Sequence, residues 1–259
     1  MKVIILGCGP SAGVPQIGAV YDDAYLADPR NHRTRSSLLI EHAGTRILVD
    51  TSPDLRQQLL RQGVTSVDAV LYTHAHADHS HGIDDLKRVC RSADKALPAY
   101  GNRQAMSALK ERFGYIFEPM NANFGWYKPH LLENVITTEP FDIGPIRVTP
   151  FAQDHVVMET LGFRFDADGQ SAAYSIDLKH LDDAAFDIIN GVDLWVVDCQ
   201  NMEENPIHSD LKRTLAWIER AKPRRAVLSH MSDDIDYATV DGLTPGHVQP
   251  GYDGLEISL

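Results

Sequence analysis

The chain is poor in cysteine, short of positive charge and without a long apolar run. Its three cysteines, Cys8, Cys90 and Cys199, are odd in number and far apart. That spacing argues against a disulfide framework and a CxxC-type zinc knuckle, and it fits a reducing cytoplasm. Lys and Arg number 24 against 36 Asp and Glu, a net charge of −12, so the surface as a whole is not built to attract RNA or an anionic membrane. The N-terminal apolar run breaks at Gly7, too early for a signal-peptide core and far too early for a bilayer span. Fixed-length repeats and low-complexity tracts are also missing. With 259 residues, 43% apolar and 23% charged, the composition is that of an ordinary globular protein. No linker interrupts it, so residues 1–259 are expected to form one domain.

Hydrophobic patterning alternates strands with helices. Short β-rich runs occur at Lys2 to Leu6, Ser37 to His42, Thr45 to Asp50, Ala69 to Tyr72 and Pro98 to Tyr100. The second half adds Ile146 to Pro150, Leu161 to Phe165, Ala172 to Ile176, Leu194 to Val197 and Ala226 to Leu228. Ala43-Gly44 signals a hairpin between the second and third runs, and Ser52-Pro53-Asp54 signals a helix start. Helical spacing recurs through Ile83, Leu86 and Val89, over Arg103 to Phe113 and over Leu211 to Arg220. Ser11 to Arg35 reads as an ordered loop, and Gly114 to Leu132, with Tyr115, Phe117, Phe124, Trp126 and Tyr127, as an irregular aromatic flap or rim. Strand-rich halves with interleaved helices indicate an α/β sandwich.

What is plentiful is histidine, with 12 residues, four of them at positions 74, 76, 79 and 81. His74-Ala75-His76-Ala77-Asp78-His79 places four metal-ligand side chains in six residues directly after a strand. They cannot share one face of a helix or strand, but they converge if the chain turns sharply there. Imidazoles suit Zn, Mn or Fe(II), and a carboxylate among them adds a hard oxygen ligand, so the run reads as half of a two-metal site. The competing reading is a solvated histidine-rich turn.

The phrase THAHADHSHG resembles the HxHxDH motif of the metallo-β-lactamase superfamily. That resemblance implies an αββα sandwich with a binuclear site at one edge, over the whole chain. It also supplies the later ligands, each at the end of a β-rich run: His155 after Ile146 to Pro150, Asp177 after Ala172 to Ile176, and His230 after Ala226 to Ser229. Carried over, His74, His76 and His155 would hold one divalent ion and Asp78, His79 and His230 the other, with Asp177 between them. Asp50 resembles the aspartate that orients a ligand histidine, and it reads equally well as a cap for the helix that follows.

Three longer phrases, Leu6-Gly7-Cys8-Gly9-Pro10-Ser11-Ala12-Gly13-Val14-Pro15, Leu228-Ser229-His230-Met231-Ser232 and Val248-Gln249-Pro250-Gly251-Tyr252-Asp253-Gly254-Leu255-Glu256-Ile257, are similar to the PhnP-like family of phosphoribosyl 1,2-cyclic phosphate phosphodiesterases. That family uses a histidine in a His-x-Asp-Leu phrase, here His208-Ser209-Asp210-Leu211. The resemblance therefore implies hydrolysis of a small phosphodiester, a cyclic ribose or nucleotide phosphate, by a metal-bridging hydroxide. Asp78 and His208 belong to the catalytic set, with His208 protonating the leaving oxygen. The alternative for His208 and Ser209 is a helix cap. The cofactor is expected to be two divalent ions, Mn or Zn. A tRNA-processing nuclease of the ribonuclease Z type and a lactone or ester hydrolase of the same fold remain alternatives. The expected partner is a small phosphodiester rather than a membrane or nucleic acid, and a homodimer is an open arrangement. Residues 16–36 lack the cysteine cluster by which family members hold a structural zinc, so packing and polar contacts from Arg33 and Arg35 are expected to hold that loop instead.

Overall fold

A computed structural model describes residues 1–119 and 129–259. Its fourteen strands are β1 (Lys2–Gly7), β2 (Ser37–His42), β3 (Thr45–Val49), β4 (Ala69–Leu71), β5 (Leu97–Gly101), β6 (Leu131–Val135), β7 (Phe141–Ile143), β8 (Ile146–Asp154), β9 (Glu159–Ala167), β10 (Gln170–Ser175), β11 (Leu194–Asp198), β12 (Arg225–Ser229), β13 (Val248–Pro250) and β14 (Glu256–Ser258). The helices are α1 (Asp23–Ala27), α2 (Leu55–Arg61), α3 (Ala77–Ser80), α4 (Leu86–Ala93), α5 (Arg103–Phe117), α6 (Asp183–Ile189), α7 (Leu211–Ala221) and α8 (Tyr237–Leu243).

The strands form two seven-stranded sheets, ordered β14-β1-β2-β3-β4-β5-β6 and β13-β12-β11-β10-β9-β8-β7. Each sheet is antiparallel at one end and parallel at the other: β3 to β6 run parallel in the first, and β10 to β13 in the second. The sheets pack face to face and helices cover the outer faces, so the fold is the αββα sandwich of the metallo-β-lactamase type.

Strand alternation explains the layering. In β1 to β4, Val3, Ile5, Leu38, Ile40, Ile47, Val49, Ala69 and Leu71 join the core shared with the second sheet. Their neighbours Ile4, Leu6, Leu39, Leu48, Val70 and Tyr72 point the other way, against Leu55 and Leu59 of α2, Leu86 and Cys90 of α4 and Met106 of α5. Both faces are therefore dry, which is why these strands read as continuous apolar runs. On the far side, Phe186 and Ile189 of α6 and Leu211 and Ile218 of α7 close the second sheet.

Two readings need correction. Gly114 to Leu132 is not irregular throughout: α5 continues to Phe117 and β6 begins at Leu131. Ile116 is fully buried under the sheet and extends the apolar stripe of α5 past Phe113, where the backbone kinks. Phe124, Trp126 and Tyr127 lie outside the described residues. The Ser11 to Arg35 stretch contains α1, capped by Asp22, whose side chain accepts from the Tyr25 N–H. As expected, arginines tie this stretch down. Arg33, almost fully buried, donates to the carbonyls of Ser232 and Ile235 at 3.0 and 2.7 Å, and Arg35 pairs with Asp54 at 2.8 Å. The Arg33 contacts join the loop to the segment after His230, and the Arg35 pair joins it to the start of α2.

The carboxyl ends of β3, β4, β8, β10, β11 and β12 point to one edge, because β8 is antiparallel to β9 and β9 antiparallel to β10. A backbone bond from the Leu161 N–H to the Thr73 carbonyl, 2.9 Å, stitches the sheets together there. Gly82 is equally exacting: a Cβ would collide with the Ser52 carbonyl and approach Leu55 Cβ at 2.9 Å. Gly82→Ala is expected to cost about 1–3 kcal/mol through this overpacking and to displace the turn carrying Asp78 and His79, read as a lowered Tm together with lost metal uptake.

Candidate metal centre

The turn that follows β4 changes conformation within the motif. His76 is extended, with φ −61° and ψ 157°; α3 then begins, so Asp78 and His79 sit on a helical turn. This switch lets all four side chains converge. The Thr51 N–H donates to the His79 carbonyl at 2.8 Å, the Gly82 N–H to the Thr51 carbonyl at 2.9 Å, and the Ser80 hydroxyl to the His76 carbonyl at 2.7 Å. Three further residues of the site, Asp50, Asp177 and His230, have φ of 61°, 53° and 58°. A left-handed backbone right after a strand turns the side chain into the edge, at a cost of roughly 1–3 kcal/mol each.

Three groups of ligand atoms result among the described residues: His74, His76, His155 and Asp177; Asp78, His79, Asp177 and His230; and Asp198, His208 and His230, with the atoms of each group within 4.8 Å of one another. The first two share Asp177 and contain the nominated ligands. The two Asp177 oxygens face different partners. Oδ2 lies 3.1 Å from His74 Nε2 and 2.7 Å from His79 Nε2, while Oδ1 lies 3.2 Å from His230 Nε2. Asp78 Oδ2 is 3.2 Å from His79 Nε2. The structure thus brings together every residue the sequence nominated as a ligand.

The donor chemistry fits metal ions. The Nε2 atoms of His74, His79 and His230 are buried and have no hydrogen-bond partner despite their closeness to carboxylates, as expected of atoms aimed at a shared point rather than at each other. The other ring nitrogens of His74 and His79 are hydrogen-bonded from outside, and that of His230 faces a carboxylate. Asp50 Oδ2 lies 2.8 Å from His79 Nδ1 and also accepts from the Thr73 hydroxyl at 2.8 Å, and that hydroxyl is 3.0 Å from His74 Nδ1. Asp198 Oδ1 lies 3.2 Å from His230 Nδ1. Such contacts fix the ring orientation and leave Nε2 for the metal. Asp50 therefore buttresses His79. It does not cap α2, whose N-cap is Asp54.

Asp198 is the functional position that sequence reasoning passed over, as merely the end of a strand. The signal was present: a fully buried apolar run, Leu194 to Val197, ending in a carboxylate, the pattern also seen at Asp50 and Asp177. Ser209 donates to Asp198 through both its N–H and its hydroxyl, at 3.2 and 3.0 Å. The cap of α7 is Asp210, which accepts from the Arg213 N–H, so neither His208 nor Ser209 serves as the cap. His208 stands over the centre instead, with Nδ1 3.3 Å from Asp177 Oδ1 and its ring 4.8 Å from that of His155.

Burial pushes the imidazoles of His74, His76 and His155 down, keeping them neutral as ligands. Burial would also lower His79 and His230, but Asp78 and Asp177 around the first, and Asp177 and Asp198 around the second, override it. His79 is held well above its ordinary value and His230 is raised to about 10. Burial acts upward on Asp177, yet the His230 and His79 imidazoles hold it well below the carboxylate range. His208 is pushed down to about 4 by burial and by the neighbouring His230. Without metal, the cluster satisfies its carboxylates with protons on His79 and His230, which metal ions would have to displace.

Residues 45–231 match the family described as the Beta-lactamase superfamily domain. The solved structure of a diphosphatase from the PhnP family is 30% identical, with a TM-score of 0.90, covering 100% of this chain and 97% of that one. An octanoyltransferase of Porphyromonas gingivalis is 32% identical over 259 residues, 99% of this chain and 51% of that protein. A ribonuclease Z of Bradyrhizobium is 31% identical over 144 residues, 53% of this chain and 46% of that protein. The chain spans about half the length of these two relatives. It belongs to the metallo-β-lactamase superfamily. Within that superfamily it is PhnP-like.

Two measurements test this construction. The protonated His230 stabilises the metal-free fold fully below its ordinary value of 6.5, and that contribution is lost as pH rises toward about 10. Chelated protein should therefore melt at lower temperature at pH 9.5 than at pH 6.5, and protein reconstituted with metal should not follow that loss. Asp198→Ala should weaken metal binding by about 10–100-fold, measured by competition with a chromogenic chelator.

Proposed function

We propose that the protein hydrolyses a small phosphodiester, a cyclic ribose or nucleotide phosphate, at a centre holding two divalent ions, Mn or Zn. The observation that carries this reading is the sharing of Asp177: one carboxylate faces both ligand groups, and His208 lies against its outer oxygen. Two divalent ions held by these residues would lower the pKa of bound water toward ~7 and neutralise phosphoryl oxygens. They would also allow a protein of net charge −12 to bind an anion.

The rest of the chemistry falls to side chains. His74, His76 and His155 on one side, and Asp78, His79 and His230 on the other, hold the centre, with Asp177 common to both. His208 is buried and neutral at neutral pH until an anionic phosphate is brought against it, which raises its affinity for a proton. As the new P–O bond to water forms and the bond to the leaving oxygen breaks, the proton on His208 passes to the leaving alkoxide.

A second reading is favoured by the similarity to a PhnP-family diphosphatase: a phosphoanhydride would present the same charge to the same residues. Processing of tRNA finds less support, because the charge balance supplies few phosphate contacts. Acyl transfer, the activity named for the Porphyromonas relative, finds none in the cysteines. Cys8, Cys90 and Cys199 are all buried, and burial pushes each thiol upward. No helix of the described residues is long and apolar enough to cross a membrane.

The deciding assay is turnover, after loading with Mn or with Zn, of bis(p-nitrophenyl) phosphate, a cyclic ribose phosphate, a dinucleoside diphosphate, a lactone and a β-lactam. Diester hydrolysis is expected. Asp177→Ala should abolish it with loss of bound metal, and His208→Ala should slow the cyclic substrate by about 10²–10⁴-fold with metal retained. Turnover of the lactone or lactam alone would sink the phosphoester reading.

A further inference from the structure

Lys179 stands two residues beyond Asp177 and is only 5% exposed. Burying an ammonium is costly unless an anion compensates it. Here no acidic side chain of the described residues pairs with it, and Nζ donates to a neutral backbone carbonyl, that of Asn205. A methionine of similar length would sit in such a place at lower cost, so stability does not explain the residue. What the charge gains is a tether between two segments of the candidate site.

On one side, the Lys179 N–H donates to the Asp154 carbonyl at 2.7 Å, directly before His155. On the other side, Asn205 organises the turn that carries His208. Its Oδ1 accepts from the N–H groups of Ile207 and His208 at 2.9 and 3.1 Å. Its Nδ2 donates to Gln200 Oε1 and Asn201 Oδ1 at 2.9 and 2.6 Å. The turn is otherwise exposed, with Glu204, Pro206 and Ile207 facing solvent, so the Lys179 ammonium is the link that pins its middle to the sheet edge. The His208 ring lies between those of His155 and His230, at 4.8 and 5.2 Å between centroids, and a shift of the turn moves it out of that place.

We propose that Lys179 is a positioning residue, which holds the Asn205 turn against the carboxyl end of β8 so that His208 stays over the metal centre. The inference rests on the reading of His208 as proton donor to the leaving oxygen. An aryl leaving group departs without a proton, whereas an alkoxide needs one. A fault in positioning His208 is therefore selective for poor leaving groups, and a general structural fault is not.

The test compares wild type, His208→Ala, Lys179→Met, Lys179→Gln and Lys179→Arg, all loaded with the same metal. Each is assayed on bis(p-nitrophenyl) phosphate and on a cyclic ribose diester whose leaving group is an alkoxide. Metal content and the His208 ring signals are read by metal analysis and NMR. Lys179→Met and Lys179→Gln should keep both metals, lose about 10–100-fold on the alkoxide substrate and less than about 3-fold on the aryl one, and shift the His208 signals. Lys179→Arg should recover most of the loss. Equal losses on both substrates with metal released, or unchanged His208 signals, would overturn the proposal. If Lys179→Met does not fold, Lys179→Gln, which keeps a donor, carries the same decision. If His208→Ala itself shows no leaving-group selectivity, the proton-donor reading fails, whereas the His208 signals still decide whether Lys179 positions the ring.

Discussion

The whole edge of the sandwich is arranged around a single carboxylate. Asp177 is fully enclosed, with imidazoles of His74, His79, His230 and His208 all within 3.3 Å of one or other oxygen. A carboxylate so placed, away from water, is tolerable only beside compensating positive charge. That requirement propagates outward. The facing imidazoles must be held in position, so Asp50 and Asp198 lie against their far nitrogens, and those carboxylates are buried in turn and satisfied by Thr73 and Ser209. Each shell exists because the one inside it needs orientation.

The fold meets this demand by placing strand ends, together with the tight turn and short helix α3 after β4, at the centre. Asp50 and His230 directly follow a buried strand, Asp198 ends one, Asp177 comes two residues after β10 and His155 directly after β8, while His74, His76, Asp78 and His79 lie on the turn and short helix after β4. Sheets with both faces covered are stiff, so the positions of their carboxyl ends are fixed to a degree that mobile loops cannot match. The left-handed backbone at Asp50, Asp177 and His230 is the local cost of turning side chains inward at that point. The dry cores on either side of the first sheet and between the two sheets supply the free energy that holds it.

The longer connections decide what else touches the centre. The Ser11 to Arg35 stretch is anchored by buried Arg33 to the carbonyls after His230. The turn from Gln200 to His208 is held by amide side chains and by one buried ammonium. Both rest on polar contacts to backbone oxygens, which fix a loop without requiring it to contribute a core of its own.

Most of the strand pattern was legible, because apolar runs with turn residues between them leave few other solutions; Ser37–His42 appears as read, and the other runs shift by at most a few residues. The ligand residues were legible for a different reason: four coordinating side chains in six residues have little structural use elsewhere. Short elements such as α6, α8 and β7 escaped, since their few apolar residues make a pattern only once the sheet beneath them is known. Asp198 escaped because a carboxylate at a strand end has no local signature that separates a buried partner of a histidine from a surface residue. The sequence by itself determined which side chains could bind metal and which segments were strands. Only the tertiary structure decided that Asp177 faces both ligand groups, that Asp198 stands behind His230 and that His208 stands over the centre, because those relations join residues 22 to 103 positions apart in the chain and arise from the crossing of strands, not from any spacing along it.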